Sequence, residues 1–200
     1  TLGPTVTGED AGEFVTAAYW LGIPHPPGYP SWCVLGHAFT WLPWGSVAWR
    51  VNLMSAFFGA GTVLLTGVLV TMLTGNRWAG FIGGLALGFS HEFWEQSVIA
   101  EVYTLNAFCL MACVILLWRW HGSRRDGWLY AMAALYGFGL GVHNTMMVAG
   151  PFFAGFVVAA DGAAIRRWRA YLGFAAVAAT SAVLIHLYLP IRSLANPPLD

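Results

Sequence analysis

A chain of 200 residues that is 58% hydrophobic, 16% aromatic and only 9% charged has too few charges for a water-facing surface. Soluble domains carry roughly 25% charged residues, so most of this surface must meet lipid. The formal net charge is zero, which excludes the broad basic field of a nucleic-acid partner, and no Walker, GxSxG or dinucleotide fingerprint occurs.

In chain order, residues 1–30 come first and are polar, with Glu9, Asp10 and Glu13 supplying three of the nine acidic groups. Thr7-Gly8-Glu9-Asp10 fits a capping box with Thr7 as N-cap and Asp10 at N3. A functional carboxylate is the competing explanation, and Glu13 lies one turn beyond Asp10 on the same helical face. The run from Ile23 to Pro30 holds four prolines and must be a rigid loop, which could hold His25 and Tyr29 beside the carboxylates. Residues 32–44 are apolar but too short to cross a membrane, so they suit an interfacial or re-entrant helix with Trp32, Trp41 and Trp44 at the headgroups.

Six apolar segments follow: 51–74, 78–94, 102–118, 128–142, 146–160 and 171–189, the last ended by Pro190. The fourth and fifth are short and broken at His143-Asn144. Cys109 and Cys113, at i,i+4 in an apolar run, read as small buried hydrophobes. Arg77, Arg124, Arg125, Arg166, Arg167 and Arg169 fall in alternate loops, so one side is arginine-rich and the positive-inside rule makes it cytoplasmic. The other side then collects residues 1–50, Glu92, Glu95, His143, Asn144 and Arg192. Glu101 enters the third span beside Tyr103, and an ionisable group there is by default a functional hypothesis. Solvation, pairing with an arginine, or a buried hydrogen-bonded histidine are the plain structural alternatives. Arg192 could hold a phosphate through its forked donors or anchor a helix at the headgroups. The histidines His91, His143 and His186 match no metal spacing, so no metal site is assigned.

These segments carry a resemblance. Asp10-Ala11-Gly12-Glu13-Phe14, the Pro24-His25-Pro26-Pro27-Gly28-Tyr29-Pro30 run, Arg50-Val51-Asn52-Leu53-Met54-Ser55, Glu101-Val102-Tyr103 and Arg192 to Asp200 resemble a bacterial multi-pass membrane family formerly of unknown function. That family is similar to the transmembrane protein O-mannosyltransferases and belongs with the GT-C glycosyltransferases. The resemblance implies an all-α polytopic bundle and transfer of a sugar, such as mannose, from a polyprenyl-phosphate donor to a protein or glycolipid hydroxyl. The inner membrane would be its location and the extracytoplasmic face its active side. Asp10 best matches the essential acidic residue of the first external loop, with Glu13 second. His25, Tyr29, Glu92, Glu95, Glu101, Tyr103, His143, Asn144 and Arg192 are the candidate substrate-binding residues. No cofactor is required by the pattern, although the carboxylates leave a divalent cation open.

The expected organisation is an external loop with interfacial helices over 1–50, a helical bundle over 51–190 and the start of another external loop over 191–200, within a longer protein. A transporter and a non-catalytic scaffold subunit are the rival functions, since broken helices and carboxylates within a membrane also mark ion paths.

Overall fold

The computed structural model describes residues 2–161 and 167–199; Thr1, Arg166 and Asp200 lie outside them. The described residues form ten helices and no strand. In order these are α1 (Ala11–Trp20), α2 (Pro30–Thr40), α3 (Val47–Thr74), α4 (Arg77–Gly88), α5 (His91–Ser97), α6 (Tyr103–Ser123), α7 (Asp126–Leu140), α8 (Thr145–Ala160), α9 (Trp168–His186) and α10 (Tyr188–Ser193).

Three stretches, Val47–Thr74, Tyr103–Ser123 and Trp168–Ser193, are long and apolar enough to cross a membrane, and Thr145–Ala160 is a shorter apolar helix. This is a helical membrane bundle, but the six expected spans are not all of spanning length. The expected 78–94 segment is interrupted. Its helix α4 stops at Gly88, and a second, polar helix α5 begins after Ser90. At the far end Pro190 does not end the helical run. It sits at the third position of α10, where its missing N–H has no intrahelical partner to lose.

Local chemistry sets the boundaries of the long hairpin. Ser46 caps α3 by accepting from the Trp49 N–H at 3.2 Å. Gly75 ends it with φ at 67°, a left-handed turn that favours glycine. Asn76 then starts α4 by accepting from the Trp78 and Ala79 N–H groups. The two helices pack closely because Gly80 faces the Gly67 carbonyl and Thr71, with no room for a Cβ, the small-residue contact common between membrane helices.

Elsewhere α3 packs on α6, α6 on α7, and α7 on α9. The core runs through Phe14, Trp32, Met54, Leu105, Trp120, Leu129, Met132 and Met146. Cys109 and Cys113 are buried free thiols within it. Phe57, Leu64, Phe81, Ile82, Phe152 and Leu184 remain exposed, as lipid-facing side chains should.

The N-terminal region departs from expectation in two ways. There is no capping box: α1 begins at Ala11, Asp10 is the N-cap without a side-chain bond, and the Thr7 hydroxyl is buried without a partner. The cause is Glu9, which takes a left-handed φ of 59° and breaks the chain before a helix can start at Gly8. Trp32 is also not at a headgroup surface. It is fully buried, while Trp41 and Trp44 are exposed. At 11 residues, α2 is only about 16 Å long, consistent with a helix that does not cross.

Polar connections segregate to the two ends of the bundle. At one end Arg167 bonds Asp126 and, at 3.1 Å, Asp161, while Arg124 donates to the Ala160 carbonyl. Arg119, Arg124 and Arg169 lie over Trp128, Trp120 and Trp168, an arrangement suited to the membrane interface. The opposite end, where α6 starts and α7 turns into α8, holds the carboxylate and histidine cluster.

Candidate active site

The segment before α1 is tied down by Asn52, whose amide donates to the carbonyls of Gly3 and Thr5 at 2.9 and 3.2 Å. Gly3 in turn donates to the Val98 carbonyl. This holds Asp10 at the head of α1 and close to the loop that carries Glu101. The Asp10 side chain is exposed and makes no hydrogen bond or ion pair among the described residues. Its charge nonetheless acts on Tyr29 and Glu101, which places it at the edge of the cluster.

Glu13, one turn on, is fully engaged. One carboxylate oxygen accepts the His25 backbone N–H at 2.6 Å and the other meets His25 Nδ1 at 2.8 Å. His25 Nε2 then lies 3.1 Å from the Tyr29 hydroxyl. Phe14 packs edge-on against both His25 and Tyr29 and tilts against Trp32. The Tyr29 ring stacks on His143 at 6.2 Å, and Tyr103 lies 5.6 Å from the same imidazole. Burial and the nearby Tyr103, Glu101, Asp10 and Glu13 raise the Tyr29 phenol above its ordinary range, and burial lowers His143. Beside this row a cleft of about 420 Å³ opens, lined by Glu13, His25, the prolines of the loop, Leu189 and Leu199.

Glu101 is the buried carboxyl of the cluster, 4% exposed. Its backbone is clamped: its carbonyl accepts from Trp32 Nε1 at 3.1 Å and Ser55 Oγ at 3.3 Å, and its N–H donates to Ser55 Oγ. Burial, with the charges of Glu9 and Asp10 adding to it, pushes its pKa up to about 7. A carboxyl with a raised folded-state pKa binds its proton more tightly folded than unfolded, so stability falls as pH rises from the ordinary carboxylate value through about 7. The shift corresponds to about 3 kcal/mol of order-of-magnitude cost above that range. Glu101→Gln should therefore flatten the melting temperature against pH between pH 5 and 8. A slope as steep as the wild type's would show that Glu101 is not the titrating group.

Not every predicted residue joins the cluster. Glu92 and Glu95 are exposed on α5 beside His91, and no hydrogen bond or ion pair links them to Glu13, His25 or Tyr29 among the described residues. The ligand atoms of His91, Glu92 and Glu95 lie within 4.8 Å of one another, close enough for a cation but open to solvent. Asn144 is exposed at the start of α8 and its side chain makes no cap bond. Arg192 donates from Nε to the Leu21 carbonyl at 2.7 Å and from Nη2 to the Trp20 carbonyl at 2.9 Å. It caps the negative end of α1, about 15 Å along that helix from Asp10. His186 spends Nδ1 on the Ala182 carbonyl of its own helix. Sequence reasoning missed Trp32 and Ser55 as the clamp on Glu101 and Phe14 as the packing centre. Phe14 and Ser55 fall within segments that carry the resemblance, but nothing in those segments signals a packing or clamping role.

The fold and the cluster together define a multi-pass helical membrane protein with an acid and imidazole site at one end of its bundle. The family model of the protein O-mannosyl-transferase TMEM260 N-terminal domain matches residues 10–164. The chain belongs to that family. It is 42% identical over 107 residues to protein O-mannosyl-transferase TMEM260 of Mus musculus, covering 53% of this chain and 15% of that protein. It is 33% identical over 122 residues to protein O-mannosyl-transferase tmem260 of Dictyostelium discoideum, covering 59% of this chain and 15% of that protein. The matched region thus spans about 15% of the length of either relative. No solved structure matches.

Proposed function

We propose that this chain carries the catalytic end of a membrane glycosyltransferase of GT-C type that moves a sugar, mannose by analogy with its relatives' names, from a polyprenyl-phosphate donor to a protein hydroxyl. The observation that carries the reading is Asp10: an exposed carboxylate, without a bond among the described residues, at the edge of a buried acid and imidazole cluster. Such a group is free to accept the proton of an attacking hydroxyl, which then displaces the lipid phosphate with inversion at the sugar carbon. Glu13 cannot take that part without breaking two bonds to His25. Tyr29, Tyr103 and His143 supply ring faces and hydroxyls suited to a sugar. The arginine-rich end faces the cytoplasm under the positive-inside rule, which puts Asp10 on the extracytoplasmic face.

The full-length protein, purified into lipid nanodiscs, should transfer mannose from a polyprenyl-phosphate mannose to a folded acceptor protein. Mass spectrometry of the acceptor would read the hexose on Ser or Thr. An acceptor left unmodified, with every sugar and lipid length tried, would overturn the reading.

A further inference from the structure

Glu13, His25 and Tyr29 form one hydrogen-bonded row, and its chemistry is directional. A carboxylate only accepts, so the imidazole must carry a proton on Nδ1 to meet Glu13 Oε2 at 2.8 Å. With a neutral ring, Nε2 is then an acceptor, and the Tyr29 hydroxyl at 3.1 Å donates to it. With a protonated ring, Nε2–H donates instead, and the Tyr29 proton must turn elsewhere. We propose that Glu13 and His25 are positioning residues that set the polarity of the Tyr29 hydroxyl, presenting it as a hydrogen-bond donor toward the phosphate leaving group when His25 is charged.

This rests on the transferase reading above and adds a role for Tyr29 within it. Among the described residues no arginine bonds to the row, and Arg192 is committed to the Trp20 and Leu21 carbonyls. A phosphate beside Asp10 and Glu101 therefore needs a neutral or cationic donor, and Tyr29 backed by a charged imidazole supplies one. The titratable groups that face the row are Glu13 from α1, Glu9 and Asp10 before it, Cys33 from α2 with Tyr188 of α10 behind it, Glu101 before α6 and Tyr103 at its start, and His143 from the α7–α8 turn. Glu101 feels the charge of His25 and acts on Tyr29, so its own titration is removed from the comparison by running every variant in a Glu101→Gln background as well.

The decisive variant is Glu13→Gln. Its amide oxygen can still accept the His25 backbone N–H, so the loop stays locked. Its amide N–H₂ donates to Nδ1, which forces the neutral ring to carry its proton on Nε2. Tyr29 then accepts at every pH and its own proton stays free for the substrate. Two measurements on the full-length protein in nanodiscs separate the outcomes. Imidazole NMR, with His25 identified by the signal lost in His25→Gln, should place the neutral-ring proton on Nδ1 in the wild type and on Nε2 in Glu13→Gln. Transfer rate against pH should fall on the alkaline side in the wild type, and this fall should vanish in Glu13→Gln. Tyr29→Phe should also lack the alkaline fall; it should be about 10- to 100-fold slower than the wild type before that fall, the loss of one hydrogen bond to a charged group, and should match it beyond. An unchanged His25 tautomer in Glu13→Gln, or an alkaline fall that persists in Tyr29→Phe, would overturn the proposal. Should the tautomer invert while the wild type transfers no sugar, the transferase reading fails and with it the leaving-group role, although the row itself stands.

Discussion

Asp10→Asn is expected to cut sugar transfer about 10²- to 10⁴-fold, the usual contribution of a positioned general base, while leaving the thermal melt of the full-length protein unchanged. Both halves follow from one observation. The Asp10 side chain is exposed and makes no bond among the described residues, and the helix it precedes takes no cap bond from it. The isosteric amide therefore removes proton affinity without removing a contact. Glu13→Gln has a contrasting expectation, because its pairing with His25 persists with the Nδ1 bond reversed and only the pH profile changes. Initial rates with a polyprenyl-phosphate mannose, paired with scanning fluorimetry, would separate the two. Full activity in Asp10→Asn would end its candidacy as the base. A collapsed melt would mean that the carboxylate is structural.

The second large effect is on stability. Trp32→Ala should destabilise the fold by about 3–5 kcal/mol, the range for truncating a buried aromatic. Trp32 is fully buried, it packs on Phe14, and its indole N–H holds the Glu101 carbonyl. Its loss opens a cavity beneath α1 and frees the loop that carries Glu101. Unlike Asp10→Asn, this change should lower the melting temperature and the transfer rate together. Trp32→Phe keeps most of the volume and loses only the indole bond, so it should recover most of the stability. A wild-type melt for Trp32→Ala would show that α1 and α2 do not depend on this packing.

How much of this was legible beforehand differs by element. The long helices were plain, since α3, α6 and α9 are runs of apolar residues punctuated by Gly75, Asn76 and the arginine pairs. The break between α4 and α5 was not, because Phe89, Phe93 and Trp94 keep the run aromatic across Ser90, where the backbone turns. The start of α1 was misjudged for a local reason: Thr7 and Asp10 have the spacing of a capping box, but Glu9 adopts a left-handed conformation that no composition rule signals. Charge parity grouped residues 1–50 with His143, and the structure brings Asp10, Glu13, His25 and His143 to one end of the bundle, with Glu101 added from the head of the third apolar segment. The internal order of this cluster was not legible. Glu13 and His25 are joined across a proline loop, and the indole of Trp32 reaches Glu101 across the interface between α2 and α6. Both are tertiary bonds without a sequence period. Parity also grouped Arg192 with the acids, but a free guanidinium finds the nearest unsatisfied carbonyls, and here those belong to α1.

One further consequence follows from the lengths of α7 and α8. With 15 and 16 residues they measure about 22–24 Å, against roughly 30 Å of hydrocarbon in an ordinary bilayer. Yet α7 packs against both α6 and α9, which are long enough to cross. A bilayer meeting this side of the bundle must thin by several ångströms or let water and headgroups sink toward the α7–α8 turn. Where the shortfall is taken up at that turn, the polar layer dips beside His143 and Tyr29. Under the proposed transferase reading, a lipid-borne phosphate would reach the cluster by lateral diffusion, without its tail being pulled clear of the membrane.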